Sequence, residues 1–348
     1  MGQYLGFLMA RFGKYQRIHD EEHQEGESAS YQARLRKRSR FTCLSRTMTC
    51  LLLADLAIFC LLLHTLWPLI SLLLHNQDLF PARVTVTSND TSEAFHIPKR
   101  PQIPRILHQT CKNDTIPKMW AESQKSCLRT YSDFEYKLWT DESARAFLEA
   151  EYPLFLYTWD NYLFPIQRAD AIRYFVLYHY GGLYLDMDTI CHEAFPIHQI
   201  ESDTLKHNSL FEATLPTGIT NDIMISSARH PAFESAIKLL PVSYSLTWWW
   251  AWLQPYAVIM GSTGPLFISL AVANYLYGEP SLPSPTVQVI HSSGLKPYIS
   301  DLQTATWHGK DAQVLKWLSD KPLIWFILGV GLVTAGFVVR WVVSLMKS

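Results

Sequence analysis

The chain has almost no net charge: 30 Lys and Arg oppose 31 Asp and Glu, a formal −1 at pH 7. A nucleic-acid partner requires a clear positive excess to displace counterions from phosphate, so no nucleic acid is expected as a ligand. Internal repeats and long low-complexity tracts are also missing, which removes repeat arrays from consideration. Cysteine is scarce, six in 348 residues, and no spacing among the six resembles a zinc site. One local absence is equally informative. From Pro322 to Val339 (PLIWFILGVGLVTAGFVV) there is no charged side chain.

That run is close to the ~20 residues a bilayer span requires. Gly329, Gly331 and Gly336 within it are tolerated in membrane helices and allow close helix approach. An earlier run, Leu51 to Leu74, is also long enough, blemished by Asp55, His64 and Pro68. It lies too far into the chain and runs too long for a cleaved signal peptide. Arg34, Arg36, Lys37, Arg38, Arg40 and Arg46 precede it without an intervening acid. The positive-inside rule then places the N-terminus in the cytosol and the following domain in a lumen. The expected organisation is a cytosolic tail (1–47), a transmembrane helix (48–74), a stem (75–102), a lumenal domain (103–316), a second transmembrane helix (322–342) and a cytosolic tail (343–348). Asn89-Asp90-Thr91 and Asn113-Asp114-Thr115 are glycosylation acceptors on the lumenal side, as in a glycoprotein. Of the cysteines, Cys111, Cys127 and Cys191 fall in that oxidising space. A Cys111–Cys127 bridge is one available pairing, with a third thiol left over.

The lumenal segment alternates strands (Arg105–His108, Phe134–Trp139, 183–186) with helices (around Met119–Leu128, Asp141–Glu149, 168–180). Such alternation implies a mainly parallel α/β sheet with helices on both faces. Its most informative stretch is Gly181-Gly182-Leu183-Tyr184-Leu185-Asp186-Met187-Asp188-Thr189. A glycine turn feeds a short apolar run that ends at two carboxylates. In open α/β sheets the carboxyl end of a strand is where ligands bind. Two residues apart on an extended backbone, Asp186 and Asp188 point the same way. Paired carboxylates suit a hard divalent cation that also holds diphosphate oxygens. A D-x-D alone is common by chance, and such acids are often merely solvated. In the preceding helix, Asp170 and Arg173 lie three apart on one face: either an intrahelical ion pair, or a carboxylate and guanidinium turned to a sugar nucleotide.

Arg168-Ala169-Asp170-Ala171-Ile172-Arg173-Tyr174, followed by Tyr180-Gly181-Gly182-Leu183-Tyr184-Leu185-Asp186-Met187-Asp188, resembles the signature of the DXD-sugar glycosyltransferases, family 32. Ile103-Pro104-Arg105-Ile106-Leu107-His108-Gln109-Thr110 is similar to that family's first strand, and Trp139-Thr140-Asp141 to the end of its second. The likeness covers about residues 103 to 310 and is strongest to the branch of fungal inositol phosphorylceramide mannosyltransferases. The resemblance implies a GT-A-like, Rossmann-type domain and a retaining mannosyltransferase of the Golgi membrane, with the endoplasmic reticulum as the alternative. It implies GDP-mannose as donor, inositol phosphorylceramide in the membrane as acceptor, and a membrane-embedded regulatory subunit. Asp170, Arg173, Asp186 and Asp188 would be catalytic; His108, Thr110, Tyr184, Asn221 and Trp307 would bind the donor. Mn²⁺, or Mg²⁺, would be held by Asp186, Asp188 and His308.

Three readings compete with this one. The same chemistry can serve an N-linked glycan, a non-catalytic scaffold can keep the fold, and a metal-dependent hydrolase can use the same carboxylates. The intact acids and Arg173 speak against a scaffold. The cluster Trp248-Trp249-Trp250-Ala251-Trp252 is either core or membrane interface. The interface reading is preferred, because two anchors hold the domain near the bilayer.

Overall fold

A computed structural model describes residues 67–86 and 102–302 continuously, with scattered positions beyond them. The described residues from Pro68 onward belong to one compact unit, which holds the folded domain. Its principal sheet has six strands: β1 (Ile106–Thr110), β2 (Glu135–Trp139), β3 (Gly182–Leu185), β5 (Ser209–Ala213), β6 (Ile219–Ser226) and β7 (Val287–Ile290). Their spatial order is β2-β1-β3-β6-β5-β7. β2, β1 and β3 run parallel, β6 lies antiparallel between β3 and β5, and β7 is parallel to β5. The mainly parallel sheet expected from the α/β alternation is therefore present, with β6 alone reversed. A second sheet pairs β4 (Thr189–Cys191) with β8 (Ile299–Asp301).

Both faces of the main sheet are covered, and the period-two alternation of its strands shows how. Tyr184, Phe211 and Met224 enter one apolar cluster, while Leu183, Leu185, Leu210, Ile223 and Ile225 enter the other. The first cluster is roofed by α5 (Pro165–Tyr180), α6 (Pro231–Thr247) and α8 (Pro265–Leu276). α5 is buried nearly all round, from Gln167 to Leu177. This explains why its sequence shows no clean polar face. Its start combines Pro165 in the first turn with a Phe164 N–H donated to Gln167 Oε1 at 3.1 Å. Its end requires glycine twice. Gly181 and Gly182 both have positive φ, and a Cβ on either would stand 2.6 Å from Ala228 N or 2.5 Å from Ile106 O. The glycine pair thus lets β3 lie directly against β1.

Several expected boundaries shift. The helix that includes residues 68–79 does not give way to a stem at 75. Leu72 and Leu79 are buried in the domain core, and Gly218 N–H donates to Asn76 Oδ1 at 2.8 Å. Val84 N–H then donates to Val289 O at 3.3 Å. The expected first span therefore ends inside the domain, while most of 48–66 lies outside the described residues. The second span, 322–342, lies outside them apart from isolated positions. Among the described residues one helical stretch, Pro255–Leu276, is long and apolar enough to cross a membrane. It is interrupted between α7 (Pro255–Ser262) and α8 and is largely buried in the domain.

The cysteine pairing also differs from expectation. Cys127, on α2 (Lys118–Thr130), is joined to Cys191 on β4, and Cys111 is a buried free thiol. The sequence left Cys111–Cys127 as one available pairing, but α2 packs on β4 and brings the distant partner within reach. Peptide mapping of the unreduced protein should recover a Cys127–Cys191 cross-link. It should also show Cys111 alkylated only after unfolding, and a Cys111-containing cross-link would contradict this arrangement.

Candidate active site

At the carboxyl ends of β1, β2 and β3 the surface opens into a cavity of about 1050 Å³. This is the edge at which ligands of open α/β sheets bind. Thr110, Trp139, Asp186, Asp188 and Asn221 all line it. The two carboxylates are placed differently from the sequence argument. β3 stops at Leu185, and Thr189 N–H turns back to Asp186 O at 3.1 Å, so Asp186 and Asp188 sit on a turn rather than on alternating strand positions. Both still reach the same cavity. The β4–β8 pair brings Asp301 opposite Thr189, and Leu302 N–H donates to Asp188 O at 3.1 Å.

Beneath the cavity lies Arg173, almost fully buried. Its Nη2 is 2.8 Å from Asp170 Oδ1, and its Nη1 is 3.1 Å from Asp186 Oδ1 and 2.6 Å from Asn221 O. Nε donates to Ala169 O at 3.2 Å, and the guanidinium carbon lies 4.7 Å from the centre of the Tyr184 ring. Asp170 Oδ1 also accepts from Asn221 Nδ2 at 3.1 Å, and its Oδ2 accepts from Thr263 Oγ1 at 3.2 Å. The Asp170–Arg173 pair is therefore neither a surface ion pair nor a pair lining the cavity. It sits one layer behind, where it fixes Asp186 and Asn221. Tyr184, expected to touch the donor, acts from the same layer. Its hydroxyl donates to Asp186 Oδ1 at 2.7 Å and lies 2.9 Å from Thr110 Oγ1.

His108 requires a correction. It is fully buried, and Trp139 Nε1 donates to its Nδ1 at 3.1 Å while its Nε2 lies 2.9 Å from Gly181 O. Both ring nitrogens are committed to the frame, and the imidazole does not line the cavity. It instead holds Trp139, which does. Trp307 and His308 lie outside the described residues.

Electrostatically the inner end of the cavity is acidic and strained by like charge. Burial pushes the Asp186 carboxyl up to about 6, against the pull of Arg173 and with help from Asp222 and Asp188. Asp222, also on the wall, is pushed up to about 6 by burial and by Glu212. Burial likewise raises Asp170 to about 7, opposed by Arg173. Burial alone would lower the Arg173 guanidinium, but the charges of Asp186, Tyr184 and Asp170 outweigh it and raise it. Among the described residues no group of three His, Cys, Asp or Glu converges as a metal site. The donor set nevertheless fits a hard cation, because carboxylate oxygens of Asp186 and Asp188 face one cavity and a divalent charge would relieve their repulsion. Farther out, Lys112 and Arg168 supply the wall's positive side chains.

Trp120 and Asp301 are wall residues that the sequence did not single out, and Trp139 and Asp222, which lie in segments it did single out, join the wall without having been assigned a role. For Trp139 a signal was present: it ends β2 directly opposite Thr110 in the β1 register, on the ligand edge. Asp301 depends on the β4–β8 pairing, for which no local pattern speaks.

Residues 117–211 match the model of a family described as "glycosyltransferase sugar-binding region containing DXD motif". A mannosyl phosphorylinositol ceramide synthase of Saccharomyces cerevisiae is 34% identical over 292 residues, 82% of this chain and 75% of that one. A second synthase of that name and organism is 40% identical over 239 residues, covering 67% of this chain and 59% of its own. Inositol phosphoceramide mannosyltransferase 2 of Schizosaccharomyces pombe is 37% identical over 253 residues, 71% of this chain and 68% of that one. A solved structure of PaToxG glycosyltransferase aligns with 51% of this chain and 71% of its own at a TM-score of 0.37 and 15% identity.

The frame around His108 gives a pH test. Burial holds its imidazole down at about 4, against 6.5 for the free side chain. The unfolded state therefore takes up the proton first, and native stability is complete above about 6.5 and is lost as pH falls towards 4, by about 3 kcal/mol for this group. His230 is lowered to about 4 in the same way and adds to the slope. The raised carboxyls of Asp170, Asp186 and Asp222 act in the opposite sense over the same window, so the readout is the difference between proteins: the thermal midpoint of His108→Gln relative to wild type should rise as pH falls from 6.5 towards 4. An unchanged slope in the variant would mean that the ring is not buried neutral.

Proposed function

Because the chain belongs to the glycosyltransferase family whose sugar-binding region contains the DXD motif, we propose that it transfers mannose to the inositol headgroup of inositol phosphoceramide, in sphingolipid synthesis. It is a glycosyltransferase, and its relatives are named as mannosyltransferases of this lipid class. The observation that carries the reading is the cavity itself: Asp186 and Asp188 face it from the turn after β3, with Arg173 fixing Asp186 from behind.

The donor we propose is GDP-mannose. Its base would lie at the ends of β1 and β2, between Thr110 and Trp139, and its diphosphate would point towards Asp186 and Asp188. A bound divalent cation, Mn²⁺ or Mg²⁺, would neutralise the charge of the leaving diphosphate as a Lewis acid. Asp186 and Asp188 would hold it, joined by His308. Leu302 is already tied to Asp188, and six residues cover at most about 20 Å, so His308 is within reach of the site.

In this reading Asp170, Arg173 and Tyr184 are positioning residues. They keep Asp186 turned to the cavity, while Asn221 presents its side to the sugar. Among the described residues no carboxylate stands out as a nucleophile of the kind retaining hydrolases use. We therefore favour front-face displacement. The bond from the sugar's anomeric carbon to the diphosphate oxygen breaks, the bond to the inositol oxygen forms on the same face, and the inositol proton passes to the departing diphosphate. Exclusion of bulk water by Trp120, Trp139, Trp159 and Phe164 around the cavity would strengthen each charge interaction.

We place the enzyme in the Golgi membrane with its domain in the lumen, anchored by the apolar runs and assisted by a membrane-embedded regulatory subunit. The Cys127–Cys191 disulfide supports an oxidising compartment.

The test uses detergent-purified full-length protein with GDP-mannose, Mn²⁺ and inositol phosphoceramide, beside Asp188→Ala. Wild type should yield mannosylated lipid, and the variant at least about 100-fold less. Mannose transferred only to a glycan, or only to water, would discard the lipid assignment.

A further inference from the structure

From Leu239 to Gly278 the sequence contains no Asp, Glu, Lys, Arg or His. Much of this stretch is core, but its middle is not. Leu246 near the end of α6 is 67% exposed, Trp248 and Trp249 in the following turn are 55% and 52% exposed, and Trp252 and Leu253 are 83% and 49% exposed. Together they form an uncharged apolar surface rich in tryptophan, larger in character than the single exposed apolar side chains usual on a water-facing domain.

Two further observations say what covers it. Tyr256, in the first turn of α7, gives its backbone N–H to Asp311 Oδ2 at 2.7 Å. The first N–H groups of a helix have no partner within it and Gln254 supplies no side-chain cap, so Asp311 acts as a cap and fastens the chain there, three residues past Leu253. Eleven residues further along the chain begins the uncharged run 322–339, which the membrane-anchored reading takes as an anchor. In the other direction Ile259 lines the active-site cavity, four residues and about 6 Å along α7 from Pro255.

We propose that Trp248, Trp249 and Trp252, with Leu246 and Leu253, seat in the headgroup region of the bilayer that anchors the chain, and so hold the cavity over a lipid acceptor. Tryptophan is the side chain most favoured at that depth, with an apolar body and one N–H for the polar layer. The absence of charge along the stretch argues for a lipid surface over a soluble protein partner, whose interface would carry a polar, charged rim. The inference rests on the membrane-anchored reading, and its link to the acceptor rests on the proposed lipid substrate.

The test places full-length protein in vesicles, with and without lipids brominated near the headgroup. It compares wild type with the triple variant Trp248→Phe/Trp249→Phe/Trp252→Phe, which keeps the apolar bulk. The difference in emission isolates these three indoles from the remaining tryptophans. That difference should be quenched roughly two-fold or more by the bromolipid and be protected from aqueous iodide. Quenching by iodide and not by bromolipid would overturn the proposal, and protection from both would assign the surface to a protein partner and overturn it equally. This readout is independent of catalysis, so it separates from a failure of the substrate assignment. In a second arm, Trp252→Ser together with Trp249→Ser should raise the apparent KM for vesicle-embedded acceptor about ten-fold. Transfer to a short-chain, water-soluble acceptor should be unchanged. Equal losses on both acceptors would contradict a docking role.

Discussion

The site depends on one buried guanidinium. Arg173 takes its charge into the interior between α5, β3 and β6, where an unpaired ion is strongly unfavourable. It is tolerated because its fork meets Asp170, Asp186, the Asn221 carbonyl and the Ala169 carbonyl at once. Replacing a partner costs more than the lost contact, since the remaining charges stay buried without compensation. That asymmetry turns a helix, a strand end and a neighbouring strand into one rigid floor under the cavity.

The floor dictates the chemistry above it. Asp186 is held by Arg173 and Tyr184 from below, so its orientation does not depend on ligand. Two carboxylates balance one guanidinium there, leaving a net negative inner end that Asp188 and Asp222 deepen. A divalent cation with a diphosphate is complementary to that field, and the positive Lys112 and Arg168 lie farther out on the wall. The cavity's aromatic sides, Trp139 above all, are in turn positioned by buried polar groups such as His108.

Sequence made the first three strands of the sheet legible, because β1, β2, α5 and β3 each carry their own local pattern and a glycine pair marks the α5–β3 turn. It also identified Asp186 and Asp188, although on a turn rather than a strand. It failed where placement depends on tertiary pairing. Spacing put Asp170 and Arg173 on one helix face but could not reveal that α5 is buried there as well, behind the cavity wall, so they read as ligand-facing. His108 lies in the middle of β1, two residues short of the ligand edge, and its ring is held beneath the helices against Trp139. Cys127 joins Cys191 across 64 residues because α2 lies on β4, a contact with no local signature. Asp301 reaches the site through the β4–β8 pair for the same reason.

The most direct test of Arg173 as the organising group is the affinity of the full-length protein for GDP-mannose with Mn²⁺, measured calorimetrically for wild type and Arg173→Lys. Near-ultraviolet circular dichroism would monitor tertiary structure in the same samples. Lysine keeps the charge but lacks the planar fork, so Asp186 would lose its fixed orientation. Donor affinity should fall at least about ten-fold, or 1.4 kcal/mol. A folded Arg173→Lys protein that binds the donor as tightly as wild type would contradict this account.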